Sequence, residues 1–140
     1  MATSGTSHPT LRTEIAGIPV EQLAREFGTP AYVYDAASIR KRLSDLRAFD
    51  TVRYAQKACS NLSILEVVRK EGALVDSVSA GEIHRALAAG YVPQGSPPPI
   101  VYTSDIFHEE TLDLVVERHI HVTCGSPDMI EQLGAQVSGR

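Results

Sequence analysis

The sequence predicts an α/β protein with a parallel β-sheet, and two observations lead to this prediction. Short β-rich stretches alternate with segments of helical apolar spacing in four successive βα units that begin near residue 51. Helix-ending and helix-starting residues stand where such units need them, with Gly72 and Gly90 after helices and Ser126 followed by Pro127 before one. Regular strand–helix alternation is typical of a parallel sheet.

The elements can be assigned in chain order. Residues 1–18 are predicted to be a flexible tail, and residues 19–140 form the domain. A short helix runs between Pro19 and Gly28, Ala31–Tyr34 is predicted to be a strand, and Asp35 caps the next helix. The four units that follow have predicted strands Thr51–Tyr54, Leu74–Val78, Ile100–Tyr102 and Ile120–Thr123, and predicted helices Leu62–Glu71, Ala80–Ala89, Glu109–Glu117 and Pro127–Leu133.

The number of units limits the possible architectures. No G-x-G-x-x-G motif follows any predicted strand, so a dinucleotide-binding sheet lacks its phosphate turn. A (β/α)8 barrel needs eight units and about 250 residues. The 140 residues of this chain supply four units. We therefore expect the first half of a TIM-type barrel in a chain that is cut short.

Composition excludes several functional classes. The net charge of −4 and the absence of a basic run argue against nucleic-acid binding. The apolar runs are too short to cross a bilayer, and the amino terminus lacks the features of a secretory signal, so we expect a cytoplasmic protein. In that reducing compartment, Cys59 and Cys124 are expected to be thiols. Small-molecule chemistry is the function class that remains.

Lys57 is the most informative residue for chemistry. Of the three lysines, Lys41 and Lys70 lie on exposed-looking helical faces, whereas Lys57 stands at the carboxyl end of a predicted strand. Catalytic groups of parallel α/β proteins collect at that end. By strand alternation, Arg53, Ala55 and Lys57 share one face, and the small Ala55 leaves room for a flat ligand. This position suits a Schiff-base lysine, although a lysine that merely reaches solvent would look the same.

Two sequence blocks around this lysine resemble those of a known family. The first runs Tyr54-Ala55-Gln56-Lys57-Ala58-Cys59, and the second runs Asp76-Ser77-Val78-Ser79-Ala80-Gly81-Glu82. In this order and spacing they resemble the Y-A-x-K-A-N and D-x-V-S-x-G-E blocks of the diaminopimelate decarboxylases. These are pyridoxal 5′-phosphate (PLP) enzymes built on an alanine-racemase-like barrel with a second β-rich domain. The similarity extends from Gly28 to the end of the chain.

The resemblance implies roles for individual residues. Lys57 matches the catalytic lysine that binds PLP as a Schiff base, Ala55 and Asp76 match residues that line the cofactor site, and Glu82 matches a nearby acid. Other interpretations stay open, since Asp76 could cap the following loop and Glu82 could form a capping box with Ser79. Cys59 replaces the family's asparagine, and we interpret it as a small packing residue.

The resemblance also implies an activity and an assembly. The family releases CO2 from meso-diaminopimelate to give L-lysine and works as homodimers. Its phosphate-binding glycine loop, its acid for the pyridine nitrogen and its second β-rich domain have no counterpart in this sequence. Two alternatives therefore stay open: a non-catalytic half-barrel fragment, and a decarboxylase for another basic amino acid. We expect no metal site, because the histidines at 119 and 121 with Cys124 lack a second cluster.

Overall fold

The computed structural model describes residues 11–138, and the chain divides after Ala37 into two compact units. Among the described residues, no helix has the length and apolar character that a bilayer crossing requires.

The first unit contains a hairpin that the sequence analysis did not predict. Strands β1 (Glu14–Ile15) and β2 (Ile18–Pro19) pair antiparallel around Ala16 and Gly17, which both have positive φ angles (52° and 78°). Two-residue hairpin loops often need this conformation at both positions. All of the hairpin except Pro19 lies within the predicted tail, of which residues 1–10 are outside the described residues.

Helix α1 (Val20–Phe27) follows directly, and Gly28 ends it with a φ of 79°, as the sequence predicts. The predicted strand at Ala31–Tyr34 is wrong, because residues 31–35 have no regular secondary structure. These residues belong to neither sheet of the described part of the chain, although their composition favours a strand. Strand formation depends on pairing and packing context more than on composition.

The second unit confirms the predicted parallel α/β architecture. The boundary between the units falls within α2 (Ala36–Ser44), which Asp35 caps by accepting a hydrogen bond from the Ala37 backbone N–H. Four parallel strands follow in the order β3-β4-β5-β6. Their bounds are Arg53–Ala55, Leu74–Ser77, Ile100–Tyr102 and His121–Val122, and the helices α3 to α6 span Leu62–Lys70, Ala80–Ala88, Glu109–Glu117 and Pro127–Ser138.

Several predicted boundaries differ from the structure by one or two residues or more, and two of these differences have a visible structural cause. Helix α6 continues through Gly134 to Ser138 instead of ending at Leu133, and Gln136 hydrogen-bonds Asp113 of α5. This tertiary contact supports the extra turn. Strand β6 begins only at His121, because His119 lies in a turn with a φ of 54°. The histidines at 119 and 121 therefore do not lie on the same strand.

The two faces of the sheet have different surroundings. On one face Val75, Ile100 and Tyr102 are fully buried in the main core, together with Ile83 of α4 and Val115 of α5. The strand register places a different set of residues on the other face, and these are half-buried. We call this second set the polar face after its two charged residues, Arg53 and Asp76; it also comprises Ala55, Leu74 and Val101.

We predict that Leu65→Ala destabilises the fold by about 2–5 kcal/mol, because it leaves a cavity under α3. Leu65 is completely buried, whereas Leu62 in the same helix is 42% exposed and serves as the matched control. Urea unfolding of the two variants measures the difference. Equal losses in the two variants would contradict the assigned core.

We predict that stability falls as the pH rises from about 10 to 12, through the ionisation of Tyr91. This side chain donates a hydrogen bond to the Ala73 carbonyl at 2.9 Å, and burial raises its pKa to about 12, with the nearby Arg69 charge opposing the shift. In the unfolded chain, the Tyr91 hydroxyl ionises near pH 10. The contribution of the Tyr91 hydroxyl to folding stability is therefore complete below pH 10 and is lost as the pH approaches 12.

The comparison variant is Tyr91→Phe, which lacks the ionising hydroxyl. Thermal unfolding of both proteins between pH 8 and pH 12 should show a steeper alkaline loss for the wild type. Parallel pH profiles would show that Tyr91 does not contribute to this loss.

Candidate functional site

The candidate lysine lies at the carboxyl end of β3, as the sequence predicts, but its local backbone differs from the prediction. The strand stops at Ala55, and Gln56–Ala58 form a short 3-10 helix. Strand alternation therefore ends at Ala55, and the prediction that Lys57 continues the face of Arg53 and Ala55 is wrong. Lys57 is exposed on this turn.

Three interactions hold the segment that follows the lysine. The Tyr54 hydroxyl donates to the carbonyl of Cys59 at 2.8 Å, and Arg85 of α4 donates to the carbonyl of Ser60 at 3.2 Å. Asn61 caps α3 by accepting hydrogen bonds from two backbone N–H groups of its first turn. Cys59 itself is half-buried and packs against the cluster formed under α3, in agreement with its interpretation as a packing residue.

Gln56 is a further residue at the carboxyl end of β3, and the sequence analysis did not identify it. Its side chain is fully buried, and its Nε2 donates to the Ser77 hydroxyl at 2.6 Å. Ser77 is also fully buried and ends β4. The one available signal was a polar residue at the variable position of the lysine block. Sequence alone did not show which way its side chain points.

Asp76 lies on the strand next to that of the lysine, as expected. Its partner in the register is Ala55, so both residues belong to the polar face. Thr103, just after β5, donates its hydroxyl to the Asp76 carboxylate. Burial lowers the pKa of the Arg53 guanidinium, and attraction by the Asp76 carboxylate opposes that shift. The carboxylate therefore has a hydroxyl donor and a cation as its neighbours.

Glu82 forms the capping box that was left open as an alternative to a cofactor role. Its backbone N–H donates to the Ser79 hydroxyl at 3.2 Å, and its carboxylate accepts from the Val78 backbone N–H at 2.7 Å. The usual capping box reaches the N-cap residue itself, whereas this carboxylate reaches one residue further back. Glu82 thereby joins the start of α4 to the segment just after β4.

These features together define a class of protein. A parallel βα sheet with an exposed lysine after one strand and a carboxylate on the next strand is the arrangement expected of a lysine-dependent enzyme built on a barrel. Residues 36–139 match the family described as the pyridoxal-dependent decarboxylases, pyridoxal binding domain. The chain belongs to this family, and PLP is the cofactor that membership implies.

The chain is similar to several diaminopimelate decarboxylases. It is 50% identical to that of Streptomyces coelicolor over 138 residues, which are 99% of this chain and 31% of the relative. A crystal structure of diaminopimelate decarboxylase matches with 56% identity and a TM-score of 0.79, over 84% of this chain and 28% of the other. The Helicobacter pylori enzyme complexed with L-lysine matches with 30% identity and a TM-score of 0.72, over 85% and 31% of the two chains.

The chain therefore spans about 30% of the length of the relatives that it matches. The structural matches agree with the parallel α/β fold and with the expected barrel class.

We predict that Glu82→Ala destabilises the chain by about 0.5–1.5 kcal/mol, because the Val78 backbone N–H loses its carboxylate acceptor while the Ser79 cap remains. Glu82→Gln should stay within about 0.5 kcal/mol of the wild type, because an amide oxygen can accept the same hydrogen bond. Urea unfolding measures both variants. If the two substitutions are equally harmful, the charge of Glu82 matters to the fold beyond the cap.

Proposed function

We propose that this chain forms the lysine-bearing part of the active site of a diaminopimelate decarboxylase, which converts meso-diaminopimelate to L-lysine and CO2. The observation that carries the proposal is the position of Lys57, exposed directly after β3, with Asp76 on the adjacent strand. The names of the similar proteins support the substrate, and L-lysine in the Helicobacter pylori complex is the product that this reaction would give.

The residues at the carboxyl ends of β3 and β4 fit the aldehyde end of PLP. Lys57 supplies an accessible primary amine, and Ala55, which precedes the turn on the polar face, adds no bulk beyond its methyl group. Asp76 and Glu82 place carboxylates on the next strand and at the start of the next helix. We propose that Lys57 is the catalytic residue and that Ala55, Asp76 and Glu82 line the cofactor site.

The proposed roles follow from the chemistry of each group. PLP, when bound, supplies an electron sink for the carbanion that remains after CO2 leaves. The Nζ of Lys57 binds a carbonyl only when it has lost its proton. Asp76 accepts a hydrogen bond from the Thr103 hydroxyl and attracts the Arg53 guanidinium, so it provides a held negative charge near the carboxyl end of the sheet. Glu82 fixes the loop between β4 and α4 through its bond to Val78.

We further propose that the complete protein acts as a homodimer in the cytoplasm, as the family resemblance implies. The two cysteines are thiols in the structure, which is compatible with a reducing compartment.

We predict that PLP followed by borohydride labels Lys57 in preference to the other two lysines, by about tenfold or more, because a bound aldehyde is held near its amine. Intact mass and peptide mapping measure the label, and the small number of lysines makes each site easy to resolve. Lys57→Ala should remove the adduct. Lys41→Ala, which removes another exposed lysine, should retain it.

The outcome separates the candidate functions. Label spread evenly over the three lysines would favour a half-barrel fragment that does not bind the cofactor. For substrate identity, CO2 release from meso-diaminopimelate and from L-ornithine should be compared with the protein purified from its native host. Faster release from L-ornithine would replace the proposed substrate by another basic amino acid.

A further inference from the structure

The side chain of Gln56 is unusual for a buried residue. It has no exposed surface, and its amide nitrogen donates to the Ser77 hydroxyl at 2.6 Å. Its amide oxygen, Oε1, has no hydrogen-bond partner among the described residues. An unpaired buried acceptor is costly, and an apolar side chain of similar size would fill the same space without that cost. A buried amide at this position therefore calls for an explanation beyond packing.

The position of the hydrogen bond between Gln56 and Ser77 suggests such an explanation. Gln56 immediately precedes Lys57, and Ser77 immediately follows Asp76 on the neighbouring strand. The hydrogen bond thus joins the direct neighbours of two residues that the proposed function assigns to the cofactor site. It lies one position beyond the last register pair of β3 and β4, which is Ala55 with Asp76. We call this interaction the Gln56–Ser77 clamp.

The clamp completes the support of the turn that carries Lys57. Tyr54 and Arg85 hold the carbonyl groups of Cys59 and Ser60, so they fix the chain after the lysine. The clamp fixes the chain before it. Lys57 is exposed, and the chain is hydrogen-bonded on both sides of it.

We propose that Gln56 is a positioning residue, which acts through Ser77 to set Lys57 against β4 in the geometry that its cofactor chemistry needs. The identity of the ligand rests on the proposed function; the clamp itself rests on the contacts described above. A hydrogen bond between buried polar groups is a means of selecting one local arrangement over others, because alternative arrangements would leave both partners unpaired.

The test uses the double variant Gln56→Met with Ser77→Ala in the 140-residue chain. Both replacements have nearly the size of the original side chain, and removing both partners together leaves no unpaired polar atom. The double variant should therefore unfold at a temperature close to that of the wild type. Thr111→Val is the matched control, because it removes another buried hydroxyl, from α5, at 2% exposure.

Two readouts follow the turn itself. Amide hydrogen exchange at residues 57–60 should become about tenfold faster in the double variant and stay unchanged in Thr111→Val, because local opening no longer breaks the clamp. The share of borohydride-trapped PLP on Lys57, relative to Lys41 and Lys70, should fall about tenfold in the double variant alone.

Each result decides the matter. Unchanged exchange at residues 57–60 would overturn the clamp. Faster exchange with an unchanged share of label on Lys57 would overturn the positioning role and leave the bond a purely structural one. If the wild type shows no preference for Lys57, the proposed function of this chain fails, and the exchange rates alone then decide on the clamp.

Discussion

Strand β4 is the element on which the arrangement of the second unit depends. Its backbone pairs on both sides, through three register pairs with β3 and three with β5. Its alternation sends Val75 and Ser77 into the helix-covered core, where both are completely buried, and turns Asp76 to the polar face. A shift of one residue in this register would bury the carboxylate and expose the core side chain. The register of β4 therefore determines both its hydrophobic packing and the position of the candidate site.

Much of the second unit could be predicted because its signals are local. Helix caps and helix ends were found from single residues, such as Ser79, Ser126 and the glycines at 72 and 90. The four strands were found because short β-rich runs separate segments with helical apolar spacing. The wrong predictions concern segments whose structure depends on distant parts of the chain: Ala31–Tyr34 belongs to neither sheet of the described residues, and the extra turn of α6 contacts α5.

The candidate site shows the same division. The lysine and the carboxylate on the next strand could be inferred from spacing and from the family blocks, because both are properties of the linear sequence. The 3-10 turn at Lys57 could not be inferred, because the residues of this segment are compatible both with a continued strand and with a tight turn. The contacts of Gln56 and Thr103 with residues of β4 were also missed. Each joins side chains more than 20 positions apart, and sequence pattern does not determine which of such groups meet.

The order of the strands has a consequence for how this part of the chain assembles. Along the sheet the strands follow one another as they do in the sequence, and each register pair joins residues only 20 to 25 positions apart. Closing such short loops costs little entropy, and contacts of low sequence separation form quickly. Each new βα unit can therefore dock on the strand made just before it. Successive addition during synthesis on the ribosome suits this topology, since each strand after β3 finds its first neighbour already in place.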